Sequence, residues 1–469
     1  MYEKNILYEQ LYKQMETFFD EKYIAREPVR YLFDIHSIGF VFKFSKQRSV
    51  IPILKYNLEN KSYRKRMNIV NTDVDGLHKI VYGPLFFNDL KGTVNPSNVK
   101  LFIVLNNNSK KVIFRKKIKL LDYNIFNSKY YYFPLSNSID LTFAVCSCFN
   151  LYNDKNKDLL IPTHSDLRTL KLFNDTCKQK NPLMIISSGD IVYLGNACNN
   201  LSSYGIQNAY DNLINLKESK SLWSNYTWVC VNDDHDLSYN NGIKDTSNIG
   251  LLRKKLDENF PIGEQVMDPN KFRATYFSLK NVYFITLDTV TESTLNPDYK
   301  EGGNKYLAIL GDEQINYLKN ALSCIVDFSG HKSLIFIVVG KSMFGSTGAF
   351  PDHCVKEKNQ IFDFIKKLRL KNIVFICGDS HFSDFTEFKV EDEDGSMITI
   401  REIRNSSITS VPSNPTESDN PDQYPGSLSK GVNNFGFVNI KGLLKEYKIT
   451  YTNYTLNGEQ FKHTWKLHH

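Results

Sequence analysis

Asp379 and His381, two positions apart in Gly378-Asp379-Ser380-His381, offer a hard carboxylate oxygen and an imidazole nitrogen to one point, a pairing that divalent and trivalent metals accept. The tetrapeptide follows Ile373-Val374-Phe375-Ile376-Cys377, an apolar run rich in β-branched residues that reads as a fully buried strand. Taken alone it is an ordinary polar turn after a strand. Four other apolar runs end in the same manner. Ala144-Val145-Cys146 leads to Ser147-Cys148, Met184-Ile185-Ile186 to Gly189-Asp190, and Trp228-Val229-Cys230-Val231 to Asp233-Asp234-His235-Asp236. Val282-Tyr283-Phe284-Ile285-Thr286-Leu287 leads to Asp288. Independent turns have no reason to stop five strands at Asp, His or Cys, and ligands of open α/β sheets bind at carboxyl strand ends. The spacing therefore points to a metal centre.

Such a donor set suits hydrolysis of phosphate esters. The ester resists attack because water is a weak nucleophile and the substrate already carries negative charge. Two close metal ions relieve both problems by making hydroxide available near neutrality and by stabilising charge on the phosphoryl and leaving oxygens. A site of this kind needs a carboxylate shared between ions, terminal ligands for each, and a proton donor for the leaving group. Asp190, preceded by the flexible Gly189, suits the shared position. His235, flanked by Asp234 and Asp236, suits the donor, and a neighbouring carboxylate is expected to raise its affinity for a proton.

In order along the chain stand Ser147-Cys148, Gly189-Asp190-Ile191-Val192-Tyr193, Asp233-Asp234-His235-Asp236, Leu287-Asp288-Thr289-Val290, Leu310-Gly311-Asp312-Glu313-Gln314 and Gly378-Asp379-Ser380-His381. This succession resembles the alkaline phosphatases of the PhoD type, within the metallophosphoesterase superfamily. The resemblance covers roughly Ile139 to the C-terminus. It implies a four-layer α/β/β/α metallophosphoesterase core over residues 139–469 and a phosphomonoesterase or phosphodiesterase activity by in-line attack of a metal-bound hydroxide. It further implies Cys148 and Tyr193 as ligands of Fe3+, Asp190 shared with Ca2+, Asp234 and Asp379 as metal ligands, His381 completing the binuclear or trinuclear centre, and His235 near the phosphate. A thiolate and a phenolate suit iron, since calcium recruits neither. Cys146 is the rival to Cys148; alternation along a strand would send both to one face, and Cys148 lies nearer the strand end.

The sequence departs from the family pattern at three places. Asp236 stands where the family has Glu, and Val290 where it has an Arg that would grip phosphate. The Asn pair usual after the third motif appears as Asn240-Asn241. Arg273 and Asn240 are therefore the substrate-binding candidates, with Lys341 a further cation; each cation also has an ordinary reading as a structural or surface charge. The Val290 departure sustains an alternative function, a noncatalytic binding protein that keeps the phosphatase fold. Asp288 has a second reading as a turn cap, and Trp223 and Trp228 read as core.

The elements that must position these groups follow from length and patterning. At 469 residues the chain can hold two domains and a large core. Lys and Arg exceed Asp and Glu by 58 to 51, an excess spread over short runs; it would help attract a small anionic ester and suggests no nucleic-acid partner. The eight cysteines show neither zinc-ribbon nor C-x-x-C spacing, so no disulfide framework is expected. No stretch reads as a signal peptide or a membrane span, which leaves compartment and oligomeric state open.

Leu7, Leu11, Met15 and Phe18 read as one face of an amphipathic helix. Short apolar runs from Arg30 to about Asn137 predict a β-sandwich-like accessory domain, so that residues 1–138 precede a catalytic domain over 139–469. Beyond Ile139 strands alternate with helices expected at Ser202–Lys220, Asp312–Ile325 and Asn359–Leu368, the alternation of a layered α/β domain. Asp394-Gly395 and Asn457-Gly458 mark hairpins, and Pro412–Asn433 reads as a long loop that covers a cleft or moves freely.

Overall fold

The computed structural model of the chain describes residues 17–19, 29–34, 37–43, 50–58, 61–66, 68–71, 77–82, 97–105, 111–117, 138–152, 165–197, 202–237, 248–262, 272–279, 282–298, 305–329, 331, 333–344, 354–391, 395, 397–415, 423–443 and 446–468. Before residue 138 the described elements are strands: β1 (Thr17–Phe19), β2 (Val29–Asp34), β3 (Ser37–Lys43), β4 (Val50–Leu58), β5 (Lys61–Arg66), β6 (Asn68–Asn71), β7 (Leu77–Tyr82), β8 (Ser97–Leu105) and β9 (Val112–Lys117). Then follow β10 (Ser138–Cys146), α1 (Ser165–Lys180), β11 (Met184–Ser187), α2 (Leu194–Ala197), α3 (Ser203–Asn215), α4 (Lys220–Asn225), β12 (Thr227–Cys230), α5 (Asp234–Leu237) and α6 (Ile249–Asn259). The next group is β13 (Tyr276–Leu279), β14 (Val282–Thr286), the short pair β15 (Thr294–Leu295) and β16 (Tyr306–Ala308), α7 (Gly311–Ser329), β17 (Leu334–Val338) and α8 (Val355–Lys367). The chain closes with β18 (Ile373–Cys377), β19 (Ser383–Glu391), β20 (Met397–Asn405), β21 (Asn434–Leu443), β22 (Glu446–Thr455) and β23 (Gly458–His468).

Two large sheets carry the site. One runs β23-β22-β21-β10-β11-β12-β2-β3-β7-β6, the other β13-β14-β17-β18-β20-β19. Within them β10-β11-β12 and β14-β17-β18-β20 are parallel, so their carboxyl ends fall along common edges. The strands before residue 138 divide between two sheets: β1-β9-β8-β4-β5 form a sheet of their own, whereas β2, β3, β7 and β6 extend the first large sheet through Trp228 and Tyr31. Phe18, expected on a helix, lies in β1; the rest of that segment before Thr17 is outside the described residues.

Period-two alternation decides what each face buries. Phe143 and Val145 of β10 point into an apolar cluster with Phe284 of β14 and Phe336 of β17, with edge-on ring contacts at 5.5 and 5.2 Å, so the two sheets meet face to face. Ala144 and Cys146 point the other way, to Leu170 of α1, Leu213 of α3 and Leu256 of α6. Behind the second sheet, Ile335, Ile337 and Phe375 pack on Leu318 and Leu322 of α7 and Ile361 and Ile365 of α8. Each such aliphatic or aromatic side chain contributes roughly 1.5–3 kcal/mol on burial. Trp223 and Trp228, stacked at 4.4 Å, are core as expected.

Local signals explain most element ends. The Ser202 hydroxyl caps α3 by accepting from Gly205 N at 3.1 Å. The helix expected over Ser202–Lys220 is two, because a tight turn with Ser219 N bonded to Leu216 O separates α3 from α4. Both predicted hairpins form, with Gly395 and Gly458 at positive φ. Part of the loop before Asn433 is pinned: Ser429 pairs with Ser383 and Gln423 with Thr386. Among the described residues no helix is long and apolar enough to cross a membrane.

Arg404, at the end of β20, joins the second sheet to the loop after β17. Its guanidinium lies 3.3 Å from Asp384 and 3.4 Å from Glu402, donates to Ser342 Oγ at 2.8 Å and Phe344 O at 2.9 Å, and rests on the Phe382 ring. Removing one member of a buried ionic network leaves its partners charged and unpaired. Arg404→Met is expected to lower stability by about 3–5 kcal/mol, read as a shift of the urea midpoint at constant slope.

Candidate metal centre

The polar residues at the parallel strand ends converge because the backbone there turns out of the sheet. Cys148, Asp190, Asp379 and His381 have φ of 60°, 55°, 62° and 59°, which places them in the left-handed region that non-glycine residues occupy only when the surroundings enforce it. Glycines let these turns touch. A Cβ at Gly189 would stand 2.6 Å from Asp233 Cβ, one at Gly340 2.6 Å from Asp233 Cγ, and one at Gly378 2.5 Å from Ser147 Oγ.

Three overlapping groups of ligand-type atoms result, each with all its atoms within 4.8 Å of one another: Cys148, Asp190 and His381; Asp190, Asp234 and His235; Asp233, Asp234 and Asp379. Tyr193 joins the first, donating from its hydroxyl to Asp190 Oδ2 at 3.1 Å and lying 2.9 Å from His381 Nε2. Cys148 Sγ is 3.5 Å from the same Asp190 oxygen and 2.9 Å from Ser406 Oγ. Asp190 Oδ1 accepts from the backbone of His235 at 3.2 Å, so this carboxylate is common to two groups. Of the expected ligands, Cys148, Asp190, Tyr193, Asp234, Asp379 and His381 are therefore brought together, with His235 among them.

Electrostatics of the bare side chains favour a cation. Burial, then Asp234 and Asp233, push the Asp190 carboxyl well above the usual carboxylate range. Burial and then Asp190 also raise the Cys148 thiol and the Tyr193 phenol. Asp233 is raised by burial despite Lys341 nearby, and its Oδ2 is buried without a hydrogen-bond partner. Crowded carboxylates, a thiol and a phenol held against ionisation are a set whose charged forms a bound metal would stabilise. The residues present fit such an ion.

His235 differs from expectation. Burial lowers its proton affinity, and this outweighs the opposing pull of Asp234, so the imidazole tends to the neutral form. Its ring stacks on Tyr193 at 3.9 Å and its Nδ1 is buried without a partner. Asp236 does not face the imidazole. Its carboxylate accepts from the backbone N–H groups of Asp190 at 2.7 Å, Val192 at 3.0 Å and Asp233 at 3.0 Å, while burial pushes its carboxyl up to about 6.

Other candidates lie elsewhere. Arg273, expected to bind substrate, is fully buried; it pairs with Asp257 at 3.0 Å and donates to the carbonyls of Cys230 and Phe260 at 3.0 and 2.8 Å. It is a structural cation, tying the end of β12 to the end of α6. Asn240, with Asn241, is outside the described residues. Val290 is buried in the core beneath the first sheet's helices. Asp288 caps a turn: one oxygen accepts from Asn232 Nδ2, Val290 N and Thr291 N, the other from Arg273 N and Thr291 Oγ1. Cys146 is not a rival to Cys148, since β10 ends at Cys146, which points to the helices, and the left-handed turn carries Cys148 to the other side.

One feature of the site escaped sequence reading. The segment Ser406–Ser410 wraps Cys148: Ser410 N and Oγ both donate to Cys148 O, and Ser406 Oγ accepts from His381 N. Its only local sign is the polar run Asn405-Ser406-Ser407 after an apolar strand. Lys341 reaches the carboxylates from the end of β17, with Nζ 3.5 Å from Asp233 Oδ1 and 3.6 Å from Asp379 Oδ2.

No protein-family model matches the sequence, and no curated protein matches it. Among solved structures, that of PhoD aligns over 95% of this chain and 92% of its own, with a TM-score of 0.64 and 14% identity. A purple acid phosphatase, PPD1 from yellow lupin (Lupinus luteus) seeds, aligns over 95% of this chain and 75% of its own, with a TM-score of 0.64 and 9% identity. At these identities the likeness is one of fold, a mixed α/β architecture that the chain shares with both.

Proposed function

We propose that this chain, folded like two phosphatases, is a metal-dependent phosphoric ester hydrolase: a PhoD-like phosphomonoesterase or phosphodiesterase on a four-layer α/β/β/α core over 139–469, with a β-sandwich-like N-terminal domain over 1–138. The observation that carries this reading is the meeting of Cys148, Asp190, Tyr193, Asp234, Asp379 and His381, from four separate strand ends, in one buried cluster.

Cys148, Tyr193, Asp190 and His381 would hold Fe3+, because a thiolate and a phenolate favour it over harder ions. Asp190 and Asp234, with carboxylate oxygens, would hold Ca2+ beside it. Bound there, the ions supply Lewis acidity that activates water and neutralises phosphoryl charge. The chain's own groups do the rest. Asp190 keeps the two ligand groups in register, and the Asp236 clamp on the Asp190 and Val192 backbone holds it there. His235, oriented by its stack on Tyr193, keeps an imidazole N–H for the leaving oxygen even when neutral. The substrate is a small phosphate ester.

Metal-loaded protein is expected to hydrolyse bis-p-nitrophenyl phosphate or p-nitrophenyl phosphate and to lose that turnover on chelation. Absence of turnover with either ester, with metal content verified, would refute the assignment. The iron ligands have an independent signature: a visible charge-transfer band is expected in the wild type and should be abolished or strongly shifted in Tyr193→Phe and in Cys148→Ser. An unchanged band in both variants would remove these residues from the ligand set.

A further inference from the structure

The geometry points to Lys341 as a built-in cation: its ammonium takes the place of a third ion between Asp233 and Asp379, so the chain binds two metal ions and not three. This rests on the metal-centre reading above. The three donor groups share residues in sequence, the first two through Asp190 and the last two through Asp234. The third has an ammonium in it, 3.5 Å from Asp233 Oδ1 and 3.6 Å from Asp379 Oδ2, and the Lys341 side chain is 4% exposed.

The position is built and not incidental. Gly340, the preceding residue, accepts from Gly378 N at 2.9 Å and lies so close to Asp233 that no Cβ fits. On the other side Ser342 Oγ donates to Glu402 at 2.5 Å and Met343 N to the same carboxylate at 2.6 Å, itself paired with Arg404. With both flanks fastened, the lysine backbone is held where its side chain meets the two carboxylates. Thr289 Oγ1 donates to Asp233 Oδ1 at 2.8 Å, which turns that oxygen toward the ammonium. A divalent ion in the same triangle would stand against a fixed positive charge. Asp233 Oδ2 is the buried atom that a third ion would use, so the rival outcome is concrete.

The test is a metal count. Full-length protein loaded with excess iron and calcium, then freed of unbound ions, is expected to hold two ions per chain by elemental analysis. Lys341→Met, uncharged and of similar length, is expected to hold three, with one additional calcium site in calorimetric titration; Lys341→Arg is expected to hold two. Three ions in the wild type, or an unchanged count in a folded Lys341→Met protein, overturns the inference, and Lys341→Gln serves the same comparison if the Met variant does not fold. Fewer than two ions in the wild type overturns it together with the metal-centre reading. Two ions without ester hydrolysis sinks the enzymatic reading and leaves this one standing.

Discussion

Asp190→Asn is expected to reduce kcat/KM for bis-p-nitrophenyl phosphate on the order of 10³-fold or more, and to lower the bound metal per chain. Asp190 is the residue common to two donor groups, with one oxygen beside Cys148 and Tyr193 and the other bonded to the His235 backbone. Exchange for an amide removes the negative charge that two cations would share. The backbone should not object, because Asn tolerates the left-handed conformation that Asp190 adopts at φ 55°. Circular dichroism and the urea midpoint are therefore expected to stay near the wild type while activity and metal fall together. Turnover within tenfold of the wild type at full metal content would remove Asp190 from the centre. Asp379→Asn should lower turnover more mildly, since Asp379 belongs to a single group, the one that Lys341 enters.

Asp236→Ala is expected to lower stability by about 3–5 kcal/mol. The fully buried carboxylate accepts from three backbone N–H groups, at Asp190, Val192 and Asp233. Each abandoned buried donor loses its partner and regains none. Asp236→Asn keeps an acceptor oxygen and should lose about half as much. Urea unfolding measures both, and a change below about 1 kcal/mol in the alanine variant would show that the clamp is dispensable. The same variant should also weaken metal binding, because the clamp fixes the turn that carries Asp190 and Tyr193.

The convergence at strand ends is legible in the sequence, and the reason is local. Buried parallel strands must be apolar along their length and can turn polar only where they leave the sheet, so Cys377 to Gly378-Asp379 and Ile186 to Gly189-Asp190 announce themselves. Hairpins at Gly395 and Gly458 were equally plain, since Asp-Gly and Asn-Gly favour the positive φ that such turns need. The choice between Cys146 and Cys148 was less secure. Alternation predicts one face for both, and fails because the strand stops at Cys146 and a left-handed residue redirects the chain.

What failed was the attribution of partners. Asp236 beside His235 looked like a modulator of the imidazole, yet its oxygens turn to backbone donors, two of them more than forty residues away, and burial sets the direction for His235. Arg273 looked available to phosphate and instead supports Cys230 and Phe260. Val290, the departure that sustains the noncatalytic alternative, fills the core.

Residue types and periodicity along the chain determined which side chains stand at the ends of buried strands and hence which chemistry was within reach. Only the tertiary structure decided which oxygens remain for a ligand and which are spent on the fold, and that Lys341 and the Ser406–Ser410 segment belong to the site. Burial and alternation act between neighbours in sequence and leave a periodic trace. Hydrogen bonds and ion pairs join groups some 260 positions apart, as between Ser410 and Cys148, and are settled by how the two sheets meet.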